Sequence, residues 1–312
     1  MTLTLPAHND FKKEFASPVW IAAADEILKR HQLKFHDLQR AAQGENVVVR
    51  VDDSLLVKIY TPQKNGFHRE KAGLEFADGL SSIPIPQIVD EGEIEGYHYL
   101  VMTQLDGQEI VRTDWLKLDT KTQIGFLTEL AVGLKELHSA NPADFEFDWP
   151  EFLRIQLDSA IFKQEGDGGN PEWLRSMSAY LDTYASLIPS RTADAFQHGD
   201  VHFGNLKVRF DGERLRPVGL FDLADSIKGF HEYEFVAVGV LIMQGQGELQ
   251  KEFFRAYGYT DSEIDESLYH RLWTLTMLYE YSSLRRYAER LGVNPMDYTL
   301  DELGRAIWSF IR

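Results

Sequence analysis

The sequence predicts an α+β chain in two parts. A small antiparallel sheet carrying one helix is expected in residues 1–104, and a larger, mostly helical part in residues 105–312. Two observations predict it. Short β-branched and apolar runs separated by turn residues crowd the first hundred positions. After Leu105-Asp106-Gly107 the apolar spacing becomes helical, interrupted by one loop and hairpin rich in Asp, Asn and His.

In chain order, Pro18 opens an amphipathic helix over 19–30 whose last turn carries Lys29 and Arg30. Residues 35–40 follow as a strand, then a turn at Gln43-Gly44-Glu45-Asn46. Strands are expected over 47–51 and 55–60, split by Asp52-Asp53-Ser54. Helical spacing from Phe67 to Leu80 closes at Asp78-Gly79. Pro84 and Pro86 break the chain, and two strands follow at 87–90 and 97–102, joined across Glu91-Gly92 and Glu95-Gly96. In the second part helices are expected over 120–138, 171–188, 233–243, 247–257, 262–291 (with room for a break) and 300–311, with an exposed loop at 166–171. Strands 206–210 and 215–221 flank Asp211-Gly212, a tight-turn pair. No internal repeat or low-complexity tract is present.

Composition narrows the function classes. At 312 residues, 44% hydrophobic and 12% aromatic, the chain suits one large or two modest globular domains. Without cysteine it has no disulfide framework, thiolate metal site or cysteine nucleophile. Acidic residues outnumber basic ones 49 to 32, a net charge of −17, which repels phosphate backbones and anionic lipids. No nucleic-acid or membrane partner is therefore expected. The acidity favours a cationic small-molecule substrate or simply serves solubility. The apolar run from Phe235 to Met243 is far shorter than the ~20 residues of a spanning helix. The N-terminus lacks a basic start followed by an apolar run, so a cytoplasmic protein is expected.

The chemistry concentrates in His198-Gly199-Asp200-Val201-His202-Phe203-Gly204-Asn205, followed by Phe221-Asp222. Phosphoryl transfer to a hydroxyl needs one carboxylate to accept the hydroxyl proton. It also needs an amide oxygen and a second carboxylate to hold Mg²⁺ on the nucleotide phosphates. The D-x-x-x-x-N spacing and the later Asp supply that set. A hairpin between them would return Asp222 toward Asn205, 17 positions earlier. Lys58, an ammonium in an apolar strand, calls for an acidic partner. Glu70, 12 positions on, is the natural one, with Glu75 as rival. Gly44-Glu45-Asn46 is either a phosphate-covering loop or only a turn. No G-x-x-x-x-G-K-[ST] exists to serve instead. His198 and His202 read as braces of the loop, with metal ligation as the alternative. Phe253, Phe254, Tyr257, Tyr259, Trp273, Tyr279 and Tyr281, with Asp225, Glu232 and Glu280, read either as helix-packing core or as a cation–π site for an amine.

These residues carry a resemblance over nearly the whole chain. His198–Asn205, Leu220-Phe221-Asp222, Gly229 through Ala237, Lys58, Arg69-Glu70, 102–107 and Leu137-His138 are similar to the aminoglycoside phosphotransferase and choline kinase superfamily, which has a protein-kinase-like two-lobed fold. The resemblance implies Asp200 as catalytic base and Asn205 and Asp222 as Mg²⁺ ligands. It implies that Lys58, oriented by Glu70, holds the α- and β-phosphates of ATP, and that backbone groups of Thr103 and Leu105 bind adenine. Residues 1–104 would then be a nucleotide-binding lobe and 105–312 a catalytic and substrate lobe. Two departures stand out. Gly229-Phe-His-Glu-Tyr-Glu234 replaces the family's Gly-Asp-Pro-x-x-Asp, with Glu234 keeping the acid, and Leu223 follows Asp222 where relatives often carry an aromatic.

The expected activity is ATP- and Mg²⁺-dependent phosphorylation of a hydroxyl on a small molecule, an amino-sugar or amino-alcohol. GTP remains open as donor. Three other readings stay open. A protein kinase is disfavoured by Gly199 in place of arginine and by the absence of an activation segment after Asp222. A nucleotide-binding regulator without turnover and a metallohydrolase complete the set.

Overall fold

Val47, Val49 and Val51 alternate with Val48 and Arg50, so one face of their strand is apolar. The computed structural model describes residues 4–42, 44–191 and 194–311; Gln43 of the expected turn lies outside them. The described chain divides into two compact units. One holds residues through Gly79, with Pro84–Gly107 and Gly219–Asp225; the other holds Leu80–Ile83, Gln108–Val218 and Ser226 onward.

The first unit contains α1 (Val19–Arg30), β1 (Leu38–Arg40), β2 (Val47–Val51), β3 (Leu55–Ile59), α2 (Gly66–Ala77), β4 (Ile88–Ile94) and β5 (Tyr97–Thr103). Its sheet runs β1-β2-β3-β5-β4, antiparallel throughout. The register pairs Val49 with Val57 and Val57 with Val101, so these side chains share a face. Together with Tyr97 and Tyr99 they close against Trp20, Ala24 and Ile27 of α1 in a dry core. Trp20 is fully buried, sits edge-on to Tyr97 and donates its indole N–H to Glu14 O at 2.8 Å. Lys58 pairs with Val48 and Leu100 in the same register and therefore lies on the opposite face.

One expected turn is absent. Glu91-Gly92 does not end a strand, since β4 runs through it to Ile94. Gly92 is there because a Cβ would come within 2.6 Å of the Tyr99 hydroxyl across the sheet. The turn is Glu95-Gly96 alone, both with positive φ (48° and 83°), as a type I′ hairpin requires.

The second unit contains α3 (Arg112–Trp115), α4 (Thr120–His138), α5 (Trp149–Gly166), α6 (Pro171–Tyr184), β6 (Ala195–Gln197), β7 (Leu206–Asp211), most of β8 (Arg214–Leu220), β9 (Ile227–Gly229), α7 (Glu234–Ala237), α8 (Gly247–Tyr257), α9 (Glu266–Leu278), α10 (Leu284–Leu291) and α11 (Leu300–Ile307). A single π-helical stretch, Val238–Met243, continues α7. The tight turn of the β7–β8 hairpin is Gly212–Glu213, one residue beyond the expected pair, with Asp211 still in the strand. α5 has no counterpart in the sequence reading. Its buried stripe is Trp149, Leu153, Gln156, Ala160 and Gln164, and two glutamines on that stripe hide the apolar period. The loop after α5 is not wholly exposed either. Asn170 is buried, caps α6 by accepting from Glu172 N at 2.8 Å, and donates to Pro295 O at 3.0 Å.

Two glycines in this unit give opposite predictions. A Cβ on Gly239 would lie 2.1 Å from the Trp308 ring, which is fully buried and pinned by its indole bond to Thr276 Oγ1 at 2.9 Å. Gly239→Ala should therefore cost about 1–3 kcal/mol in urea denaturation. Gly125 lies inside α4 with nothing within 4 Å of a Cβ. Gly125→Ala should instead stabilise by ~0.5–1 kcal/mol.

Candidate active site

In the first unit the chemistry gathers on the face of β3 away from the Trp20 core. Lys58, 7% exposed, projects from that face, and its ammonium meets Glu70 Oε2 of α2 at 2.6 Å. It also meets Asp222 Oδ1 at 2.8 Å, on the segment that returns to this unit from much later in the chain. Glu70 accepts a second bond from the Tyr60 hydroxyl at 2.7 Å. Burial pushes the Lys58 pKa down, but the two carboxylates more than reverse it, and the amine stays protonated. Burial raises the Glu70 pKa, and the Asp222 charge adds to this against the pull of Lys58. Glu75, the rival partner, lies outside the cluster, 3.7 Å from Lys71. Asp222 is one of few non-glycine residues with positive φ (65°), a conformation Asp tolerates better than most. Its side chain is 44% exposed.

The other residues expected to meet nucleotide lie at two ends of the sheet. Gly44 precedes β2 with φ of 143°, a backbone state reserved for glycine. Thr103 ends β5 with its N–H given to Gln87 O at 2.9 Å, while Leu105, two residues on, makes no backbone hydrogen bond among the described residues.

In the second unit β6 and β9 pair side by side, and the loop 198–205 leaves directly from the end of β6. Gly229 closes β9 because a side chain there would strike the Trp149 ring at 2.6 Å. Five residues later Glu234, 1% exposed, turns its carboxylate under the loop and accepts from His198 N at 2.6 Å and Gly199 N at 3.0 Å. The acid retained in the altered 229–234 segment thus bridges two consecutive loop amides. Gly199 has φ of 86°, so the loop turns where only glycine turns without strain. Behind Glu234 stands His138 from the end of α4, with Nε2 at 3.5 Å and Nδ1 bonded to the Tyr257 hydroxyl at 2.8 Å.

Asp200 sits at the turned-out part of this loop with 19% of its side chain exposed. Its Oδ1 accepts from the Tyr279 hydroxyl at 2.9 Å, while Oδ2 lies 3.2 Å from His202 Nε2 and 3.3 Å from Asn205 Nδ2. Burial alone would raise the Asp200 pKa. The His202 bond, the nearby imidazoles of His202 and His198 and the Tyr279 bond outweigh it, holding the carboxyl below its ordinary value. Asn205 Nδ2 also donates to Asp200 O at 2.9 Å, and the amide oxygen accepts nothing among the described residues.

Both histidines brace the loop. His198 Nδ1 accepts from Asp200 N at 3.2 Å, and His202 Nδ1 accepts from Gly204 N at 2.9 Å. Among the described residues no three His, Asp or Glu side chains gather as a metal-binding group. Most of the aromatic set is packed in the core. Phe253, Phe254 and Trp273 are fully buried, and the Glu232 carboxylate is already spanned by Arg271 at 2.7 and 2.8 Å. Of the seven rings, only Tyr281 is substantially exposed.

A family model described as a phosphotransferase enzyme family matches residues 37–271, which contain every side chain of the two clusters except Tyr279. The chain belongs to the phosphotransferase enzyme family. It is thus a phosphotransferase of the class with an alcohol group as acceptor. Solved structures agree in fold. The GDP complex of aminoglycoside 2′-phosphotransferase-IIIa is 14% identical with a TM-score of 0.68, covering 93% of this chain and 98% of that one. A streptomycin–ATP ternary complex of APH(2″)-IIa is 16% identical with a TM-score of 0.59, covering 93% and 98%. Aminoglycoside phosphotransferase APH(3″)-Id from Streptomyces rimosus is 18% identical with a TM-score of 0.56, covering 82% and 98%. These likenesses show the protein-kinase-like fold, with its antiparallel N-terminal sheet and helical C-terminal part. Among curated proteins, none matches.

Within this phosphotransferase the sequence reading missed one close partner of Asp200. Tyr279 is one of the rings expected to serve as packing core or as a cation–π site, yet its hydroxyl bonds a carboxylate 79 positions away. The only local signal is the end of α9, where Tyr279 turns extended (φ −59°, ψ 138°) and so leaves the helical register. The grip of Glu234 on the loop yields a prediction. Glu234→Gln presents one oxygen and one NH₂ to two backbone donors, leaving one N–H unmet. It should cost about 1.5–3 kcal/mol of stability, read from urea unfolding, and lower turnover with it.

Proposed function

We propose that this phosphotransferase moves the γ-phosphoryl group of ATP to a hydroxyl of a small molecule, an aminoglycoside-like amino-sugar or an amino-alcohol, with Asp200 as general base. The observation that carries the reading is the Asp200 carboxylate, partly exposed, ionised and fixed by three donors from the loop and Tyr279. Such a group is a hydrogen-bond acceptor aimed and ready at neutral pH.

The nucleotide side rests on Lys58, whose charge is kept by Glu70 and Asp222. A buried ammonium held between carboxylates is suited to exchange one of them for phosphate oxygens. Gly44 N–H would cover the phosphates, and backbone groups at Thr103 and Leu105 would meet the base. Solved structures of similar fold contain GDP, ADP and ATP, which supports a nucleotide donor while leaving ATP against GTP to assay.

The donor chemistry fits Mg²⁺. Asn205 keeps an uncommitted amide oxygen, and Asp222 offers a half-exposed carboxylate, both hard oxygen ligands of the kind Mg²⁺ takes beside substrate phosphates. When bound there, Mg²⁺ supplies positive charge to the phosphate oxygens. A cationic acceptor is favoured by the net charge of −17, and related structures carry kanamycin and gentamicin.

Two predictions test the roles. Asp200→Asn should lower kcat by about 10²–10⁴ with nucleotide affinity kept, the range expected for a lost general base. Asp222→Ala and Lys58→Met should instead weaken Mg-ATP binding, measured by calorimetry. The decisive screen follows ATP and GTP consumption against aminoglycosides, choline-like amines, neutral sugars and protein acceptors. Nucleotide binding without transfer to any of them points to a regulator. Transfer confined to proteins, or to neutral sugars, sinks the acceptor assignment.

A further inference from the structure

The two oxygens of Asp200 are not equivalent. Oδ2 faces two donors, His202 Nε2 at 3.2 Å and Asn205 Nδ2 at 3.3 Å. Oδ1 faces one, the Tyr279 hydroxyl at 2.9 Å. The roles of these donors are fixed by their other bonds. His202 Nδ1 accepts from Gly204 N, so the neutral ring carries its proton on Nε2, the atom 3.2 Å from Asp200 Oδ2. The Asn205 nitrogen contacts Asp200 O as well as Oδ2, two acceptors that only an NH₂ group satisfies. A carboxylate oxygen offers about two lone-pair directions, so Oδ2 is filled and Oδ1 keeps one open.

We propose that Oδ1 is the oxygen that receives the acceptor hydroxyl's proton, and that Tyr279 is the positioning residue that holds it in place. The inference rests on the reading of Asp200 as general base and deepens it to one atom. In the step, the acceptor O–H bond breaks and its proton passes to the open lone pair of Oδ1. The freed oxygen bonds the γ-phosphorus as the bond to the β,γ-bridging oxygen breaks, and that electron pair leaves with the nucleoside diphosphate.

Tyr279 is built for this task. It is 2% exposed, wedged between Tyr233 and Tyr281 with ring centroids at 5.3 and 5.8 Å, and its hydroxyl lies 3.0 Å from Gly199 O. Its single proton is therefore offered only to the loop. The connector that carries it is tied down separately by Glu280 N, which donates to the Tyr233 hydroxyl at 2.9 Å. The torsion that turns an aspartate carboxylate is soft. With Tyr279 removed, only the donors on Oδ2 resist its rotation, and Oδ1 no longer points in one direction.

The test follows hydrolysis of Mg-ATP with water as acceptor, and transfer to any aminoglycoside that the acceptor screen identifies. Tyr279→Phe should lower kcat about tenfold, a fraction of the full general-base effect, with KM for ATP and acceptor within about twofold and the melting temperature kept. Tyr233→Phe removes a hydroxyl bound to the same connector but not to Asp200, and should leave kcat near wild type. Replacing Tyr279 with 4-aminophenylalanine keeps ring and donor, and should restore most of the lost kcat; it also decides the matter if Tyr279→Phe folds poorly. Unchanged kcat in Tyr279→Phe, equal losses in Tyr279→Phe and Tyr233→Phe, a loss confined to acceptor KM, or no rescue by the amino analogue would each overturn the proposal. Failure of the base reading looks different: Asp200→Asn would then turn over ATP like wild type, whatever Tyr279 does.

Discussion

The loop 198–205 hangs on the carboxylate of Glu234. A buried carboxylate is costly unless its oxygens are met by donors, and here the backbone N–H groups of His198 and Gly199 meet them. The bond works in both directions. The loop's two amides, which have no strand or helix partner at that point, gain an acceptor, and the acid gains its compensation. Because Gly199 turns with positive φ immediately afterwards, fixing those amides fixes the direction in which Asp200 leaves the backbone. His138 and Tyr257 stand behind Glu234, so the ends of α4 and α8, which pack on each other, back the loop.

The second constraint is the charge of Lys58. Burial disfavours an ammonium by several kcal/mol, and only close opposite charge makes it tolerable. Glu70 is supplied locally by α2, but Asp222 arrives from 164 positions away. The short segment 219–225 therefore belongs to the sheet unit although its neighbours in sequence belong to the helical one. Its anchors are the bond from Leu220 N to Pro84 O at 2.9 Å and the packing of Leu223–Asp225 on α2. Asp222 then adopts a left-handed backbone, which costs of order a kcal/mol and is held by those surrounding contacts.

Where the sequence carried a clean period, elements were legible to the residue. Helices 19–30, 120–138 and 247–257 and strand 47–51 have the expected bounds, because an apolar face runs through each of them. Legibility failed where polar residues took apolar duties. α5 buries Gln156 and Gln164, whose amides are satisfied by Lys163, Ser282 and Leu284, so its stripe does not look hydrophobic. Gly92 looked like a turn because glycine usually marks one, whereas here it clears room for Tyr99 across the sheet. The run 233–243 read as one α-helix, yet it changes to π geometry at Val238, a switch of hydrogen-bond register that side-chain periodicity does not encode.

The sequence by itself determined the family and the sheet-then-helix order, and it singled out the candidate set, because D-x-x-x-x-N, a following Asp and a strand lysine are local patterns whose proposed chemistry needs those residue types. Tertiary structure alone decided what surrounds each candidate side chain. Tyr279 on Oδ1 of Asp200 and Asp222 on Lys58 bridge 79 and 164 positions of chain. The physical reason is that a hydrogen bond between distant segments leaves no mark on the local spacing of either. Tyr279 buries its ring like any core aromatic, and only the fold reveals that its hydroxyl ends on a carboxylate.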